Sequence, residues 1–291
     1  MEIKSKNKVA GGVLLRISHA STITNCRMTF AVFVPVFDYA EAAPTSFPVL
    51  FYLSGLTCTD ENACHKLGAF NSLAASGMAC VFPDTSPRGC NVPGESDSWD
   101  FGVGAGFYID ATLAPWSAHW RMESYVSDEL PAFLREHLPC LDLGRCGITG
   151  HSMGGHGALT LALKKPTLFR SVSAFAPISN PSKCPWGVKA FTNYLEQPPS
   201  DGDAPPDAWS KHNATHLVAH SPFDDILVDV GTADTFYLQK QLLPEDLKAA
   251  ADAAGKPLTL RFHQGYGHDF YFYSSFIAEH VAFHAERLGK L

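Results

Sequence analysis

The pentapeptide Gly150-His151-Ser152-Met153-Gly154 fits the pattern G-x-S-x-G, and Gly155 follows directly. A short apolar run at 146–149 precedes it and an amphipathic segment at 154–164 follows, so the spacing puts Ser152 on a sharp strand-to-helix turn. Small neighbours let the backbone fold that tightly. The hydroxyl then projects at a helix N-terminus above a sheet. Such a hydroxyl is a weak nucleophile until a base removes its proton, so the chemistry is acyl transfer and requires a histidine held by a carboxylate, in the chain order Ser, acid, His.

Thirteen histidines compete for that role. His268 stands in Gly265-Tyr266-Gly267-His268-Asp269, a glycine-flanked loop just past the last expected strand, at the sheet edge where Ser152 emerges. His263 belongs to that strand and reads as a packed or edge residue. His280 and His284 are four apart on the last helix, a ligand spacing, but no third ligand accompanies them. His151 and His156 are too close to Ser152 in the chain to serve as its base. Two acids compete in turn. Asp229 alternates within the strand at 225–230 and reads as a buried structural group; Asp234 lies in the loop beyond it, where a base-orienting acid belongs, and is preferred. The developing oxyanion needs two backbone N–H donors. Met153, next after the serine, is one. Leu56 in Ser54-Gly55-Leu56-Thr57 is the other, with the N–H of Gly55 as its competitor.

The elements that must position these residues follow from period and punctuation. Segments 14–18 and 28–35 alternate as an antiparallel pair; 49–54, 78–83, 146–149, 172–176, 225–230 and 258–263 read as buried strands. Helices are expected over 63–76, 122–137, 154–164, 244–254 and 274–288. Strands alternating with amphipathic helices predict one α/β domain over 1–291, a mostly parallel central sheet flanked by helices. Two long irregular stretches, 85–121 and 177–222, are expected over the carboxyl edge of that sheet, where ligands bind in open α/β folds. The low-complexity patch 198–206 reads as a surface loop.

With 46% hydrophobic and 18% charged residues, the 291-residue chain has material for a large core. Twenty-two Lys and Arg against 29 Asp and Glu give a net charge of -7, which argues against nucleic acid as a partner. The N-terminal segment fails as a signal peptide, and no apolar run approaches the length of a membrane span. Eight cysteines without a C-x-x-C pair point to reduced thiols and a cytoplasmic location.

Several segments resemble the S-formylglutathione hydrolase (esterase D) family of α/β-hydrolases: residues 53–62 (LSGLTCTDEN), 83–89 (PDTSPRG), 98–102 (SWDFG), 104–108 (GAGFY), 150–158 (GHSMGGHGA), 184–187 (CPWG) and 241–244 (QLLP). The resemblance implies the α/β-hydrolase fold and hydrolysis of a formyl thioester of glutathione. It matches Ser152, Asp234 and His268 to the family triad and the Leu56 and Met153 backbones to its oxyanion hole, and it implies no cofactor. Cys58 resembles a family cysteine beside the active site. Trp186 and Phe107, from the two long loops, are expected to wall the pocket. Ala63, where the family has an aromatic residue, and Gly267, where it has aspartate, depart from the pattern. A short-chain carboxylesterase or acyltransferase on the same scaffold is the alternative activity; a non-catalytic binding protein is the rival from another class. Whether the chain forms a homodimer stays open at this point.

Overall fold

The computed structural model describes residues 1–38, 46–197 and 206–289; most of the expected loop at 198–206 therefore lies outside the described residues. Among the described residues nine strands form one sheet: β1 (Glu2–Val9), β2 (Gly12–Ser21), β3 (Cys26–Val34), β4 (Phe47–Leu53), β5 (Ala79–Pro83), β6 (Leu141–Gly150), β7 (Phe169–Phe175), β8 (Leu227–Gly231) and β9 (Thr259–His263), in the order β1-β2-β3-β5-β4-β6-β7-β8-β9. The pairs β1–β2, β2–β3 and β3–β5 are antiparallel, and every pair from β5–β4 to β8–β9 is parallel.

The central strands are continuous apolar runs because helices cover both of their faces. Five of the seven residues of Phe47–Leu53 are at most 1% exposed. The edges read differently. β1, absent from the sequence-based expectation, carries Lys4, Lys6 and Lys8 and is exposed along almost its whole length; lysines on an edge strand discourage pairing with another chain. β9, expected to be buried, is the opposite edge and only half covered, with Phe262 43% exposed.

Register decides where the site falls. Leu53 pairs with Gly150 and Gly231 with His263 in strands that all run parallel, so β4, β6, β8 and β9 deliver their carboxyl ends to the same side of the sheet. The segments that follow these four ends contain Gly55 to Cys58, Ser152, Asp234 and His268.

The expected helix over 63–76 is two helices, Asp60–Lys66 and Phe70–Ala75, because Gly68 takes a φ of +70° between them. The helical run 122–137 forms but widens to a π turn over Tyr125–Glu129. Pro131 has no N–H to give to the preceding turn, and the wider turn accommodates that loss. The stretch 177–222, expected to be irregular, holds a ten-residue helix, Pro185–Tyr194, opened by proline at its first position.

One polar network ties the edge that carries the acid and the histidine. Asp229, fully buried on β8, accepts two hydrogen bonds from Arg261 on β9 at 2.6 and 2.7 Å. His280 Nε2 on the helix Phe270–Gly289 contacts the same carboxylate at 3.2 Å, and His263 Nε2 lies 3.1 Å from it. Burial alone would raise the Asp229 carboxyl, but the bonds from His280 and Arg261 outweigh it and hold the group down at about 2. His284 completes the network through Ser171 and Ser173, at 2.7 and 2.8 Å. The structure thus spends His280 and His284 on core hydrogen bonds.

Four of the buried histidines make a prediction about acid. Burial pushes His151 and His156 down to about 3 and lowers His280 and His284 as well. A folded-state pKa below the unfolded value of about 6.5 means that the unfolded chain binds more protons between the two. Stability is therefore complete above pH 6.5 and falls as the pH drops toward 3. His151 and His156 alone set a slope on the order of 3 kcal/mol per pH unit. The urea midpoint should decline steeply from pH 7 to pH 5; a midpoint constant over that range would contradict this account.

Candidate active site

Ser152 sits at φ 57°, ψ -124°, a strained conformation for a residue with a side chain. The backbone around it holds the strain: the Ser152 N–H donates to Phe175 O at 2.9 Å, and its carbonyl accepts from His156 N at 3.0 Å and Ile178 N at 3.3 Å. The glycines of the motif are required by contact. A Cβ on Gly154 would meet Leu53 O at 2.0 Å, and one on Gly150 would meet Gly154 O at 2.5 Å. The Ser152 hydroxyl does not cap the helix Met153–Lys164 that starts behind it, which leaves the oxygen for other chemistry at a positive helix end.

Of the two competing acids, Asp234 is the one against His268, with Oδ2 2.6 Å from Nδ1. Its Oδ1 accepts the N–H groups of Phe236 and Tyr237 at 2.8 and 3.1 Å, capping the short helix Thr235–Leu238. The carboxylate is thus fixed before it reaches the imidazole. The two loops lie backbone to backbone: the Ala233 N–H donates to Tyr266 O at 2.9 Å, and a Cβ on Gly231 would meet that same oxygen at 2.2 Å. Phe236 packs edge-on to the His268 ring at 4.8 Å. Because Nδ1 donates to Asp234, the lone pair of the neutral ring lies on Nε2.

A cleft of about 250 Å³ brings Ser152 and His268 together. Leu56, Cys58 and Trp186 line it, and so do Trp99, Phe236 and Tyr273, which the sequence reading did not assign to the pocket. Phe107 does not: it is fully buried, edge-on to His156, because it and Tyr108 both turn through positive φ and carry their rings into the core. The Tyr108 hydroxyl donates to Ser54 O at 2.9 Å. Trp99 is 55% exposed and meets Trp186 edge-on at 5.7 Å across the mouth. Its place in the segment 98–102 (SWDFG) of the glycine-rich stretch 85–121 was the available sequence signal for it.

The backbone amides around the serine divide cleanly. Gly55 N–H donates to His151 Nε2 at 3.0 Å, Thr57 N–H to Gly104 O at 2.9 Å, and Cys58 N–H to Gly55 O at 3.3 Å. Beyond the serine, Gly154 N–H donates to His151 O at 2.8 Å. Among the described residues, the N–H groups of Leu56 and Met153 meet no protein acceptor. The competitor amide, Gly55, is already occupied.

All eight cysteines are unpaired. Among the described residues no cluster of His, Cys, Asp or Glu could hold a metal ion, and no helix is long and apolar enough to cross a membrane.

A mostly parallel sheet flanked by helices, with a strained serine raised on the turn after β6, makes this chain a hydrolase of the α/β-hydrolase fold. Comparison with known proteins narrows the class. An esterase family model, described as "Putative esterase", matches residues 21–283. The S-formylglutathione hydrolase of Rattus norvegicus is 46% identical over 99% of this chain and 100% of its own. That of Arabidopsis thaliana is 47% identical over 97% and 95%. The solved S-formylglutathione hydrolase of Agrobacterium tumefaciens superposes with a TM-score of 0.91 at 45% identity, covering 99% of this chain and all of the other. The chain belongs to the S-formylglutathione hydrolase family.

Proposed function

We propose that this enzyme hydrolyses S-formylglutathione to glutathione and formate through a formyl-serine intermediate. Ser152 Oγ attacks the formyl carbon while His268 Nε2 takes the hydroxyl proton, and Asp234 holds the imidazole in the tautomer that can accept it. The charge that develops on the formyl oxygen is met by the N–H groups of Leu56 and Met153. The carbon–sulfur bond then breaks and the leaving sulfur receives the proton. Water, deprotonated by the same histidine, attacks the formyl-serine; formate departs and Ser152 regains its proton. The observation that carries this reading is the 2.6 Å contact between Asp234 and His268 beside a serine with a free hydroxyl in one cleft.

The cleft is walled by Trp99, Trp186, Phe236, Phe270 and Tyr273 close to the serine. A formyl group asks for little acyl space, and the Trp99–Trp186 pair offers an apolar wall against which the thiol arm can pack. The direct test is kcat/KM on S-formylglutathione beside a simple aryl acetate. A clear preference for the thioester supports the reading; a preference for the aryl ester would promote a general carboxylesterase.

Cys58 stands beside this chemistry, its Sγ 4.0 Å from His151 Nε2. Burial pushes its thiol up to about 11, against the opposing charge of Lys66. Only the thiolate reacts, so inactivation by N-ethylmaleimide should accelerate about tenfold per pH unit between pH 7 and 9. A Cys58→Ala variant should keep substantial turnover and resist the reagent, since the block is steric. Equal inactivation of both proteins would place the sensitive thiol elsewhere.

A further inference from the structure

His151 adjoins Ser152 in the chain but is bonded to the other side of the cleft. Its ring is 4% exposed and packs against Tyr273 at 4.6 Å and Phe270 at 5.1 Å. Nε2 accepts the Gly55 N–H at 3.0 Å, and Nδ1 lies 3.0 Å from Tyr52 Oη. A ring nitrogen that accepts an N–H carries no proton, so the ring proton lies on Nδ1 and is donated to Tyr52. The neighbourhood admits little slack: a Cβ on Gly55 would meet His151 Cδ2 and Ser152 Cβ, each at 3.0 Å.

Gly55 is therefore held at both ends, its N–H on His151 and its carbonyl on the N–H of Cys58. The Gly55 carbonyl and the Leu56 N–H belong to one rigid peptide plane and point in opposite directions. The Cys58 N–H holds the first and so aims the second, while the His151 bond fixes the preceding Ser54–Gly55 plane and removes the hinge about which the pair could swing. We infer that His151 is a positioning residue: its neutral imidazole clamps Gly55 and so keeps the Leu56 N–H directed at the oxygen of the tetrahedral intermediate. The inference rests on the reading of Leu56 as an oxyanion donor. It also explains how a single loop stays in register with the turn that bears the nucleophile: the residue before Ser152 reaches across to the residue before Leu56. Burial holds His151 at about 3, so the acceptor nitrogen persists through the working pH range.

Two measurements test the clamp. In the wild type, imidazole nitrogen NMR of His151 should report the Nδ1–H tautomer, and the Gly55 amide should exchange slowly with solvent. An Nε2–H tautomer or a rapidly exchanging Gly55 amide would overturn the inference, whether or not any variant folds. In variants, His151→Leu should lower kcat by about 10²-fold, the scale of one lost oxyanion donor, with KM little changed. Binding of a trifluoromethyl ketone that forms a tetrahedral adduct should weaken by a similar factor. His151→Gln, whose side-chain oxygen can accept from Gly55, should recover most of both losses. A folded His151→Leu with kcat within about threefold of wild type, or with kcat lowered but analogue affinity kept, would refute the clamp. Glutamine as damaging as leucine would refute it too. Running the kinetics on S-formylglutathione and on an aryl acetate separates this result from the proposed activity: a wild type inert on both defeats that activity, while the tautomer and exchange measurements still decide the clamp.

Discussion

Ser152→Ala and His268→Ala should each lower kcat by roughly 10⁴- to 10⁶-fold, and the double variant should lose no more than either alone, because nucleophile and base act as one unit. The residual rate would come from the cleft and its amides. The fold should survive both changes. The Ser152 hydroxyl caps nothing, and the strained backbone is held by Phe175, His156 and Ile178 through main-chain bonds that alanine keeps. Steady-state kinetics with a thermal melt for each variant decide the matter. A folded Ser152→Ala enzyme with more than about 1% of wild-type turnover would remove the serine from the mechanism.

The second large effect separates two aspartates five residues apart. Asp234→Asn should cut kcat by roughly 10⁴-fold, because an amide in that place favours the wrong histidine tautomer. Its effect on stability should be small, since Asn can still accept at the helix cap through its oxygen. Asp229→Asn should do the reverse. It leaves the charged Arg261 and the buried His280 without their carboxylate, a loss of about 3 to 5 kcal/mol for a broken buried pair, while the folded fraction turns over at close to the normal rate. Urea melts and kcat for the two variants should cross. If Asp229→Asn damages turnover more than Asp234→Asn with both folded, the orienting acid is the strand residue Asp229 and not the loop residue Asp234.

Much of this was legible in the residues themselves because local geometry forces residue type. The G-x-S-x-G turn demands glycine where Leu53 O and Gly154 O approach within 2.5 Å, so the strained serine announces itself in sequence. The long apolar runs of the central strands follow from burial on both faces, and proline and glycine mark where helices start and stop. Asp234 and His268 could be placed because both fall in loops just beyond strands of one parallel sheet.

The features that stayed hidden depend on distant pairing. An exposed lysine-rich segment becomes β1 only because Gly12–Ser21 offers it an edge, and no core periodicity marks such a strand. Phe107 and Trp186 look alike as aromatics in long loops. Positive φ at Phe107 turned one into the core, while Trp186 packed on Phe236 at 4.7 Å in the cleft wall. The choice between the Gly55 and Leu56 amides was open in sequence, since any residue presents an N–H. It is narrowed by a hydrogen bond from Gly55 to a histidine 96 positions away. The tight serine turn and the class of sheet beneath it could be read from residue types alone, because those are short-range steric and burial demands. Which aromatics line the cleft and which amides lack an acceptor was decided only by the tertiary structure, because contacts between segments far apart in the chain leave no periodic trace in either one.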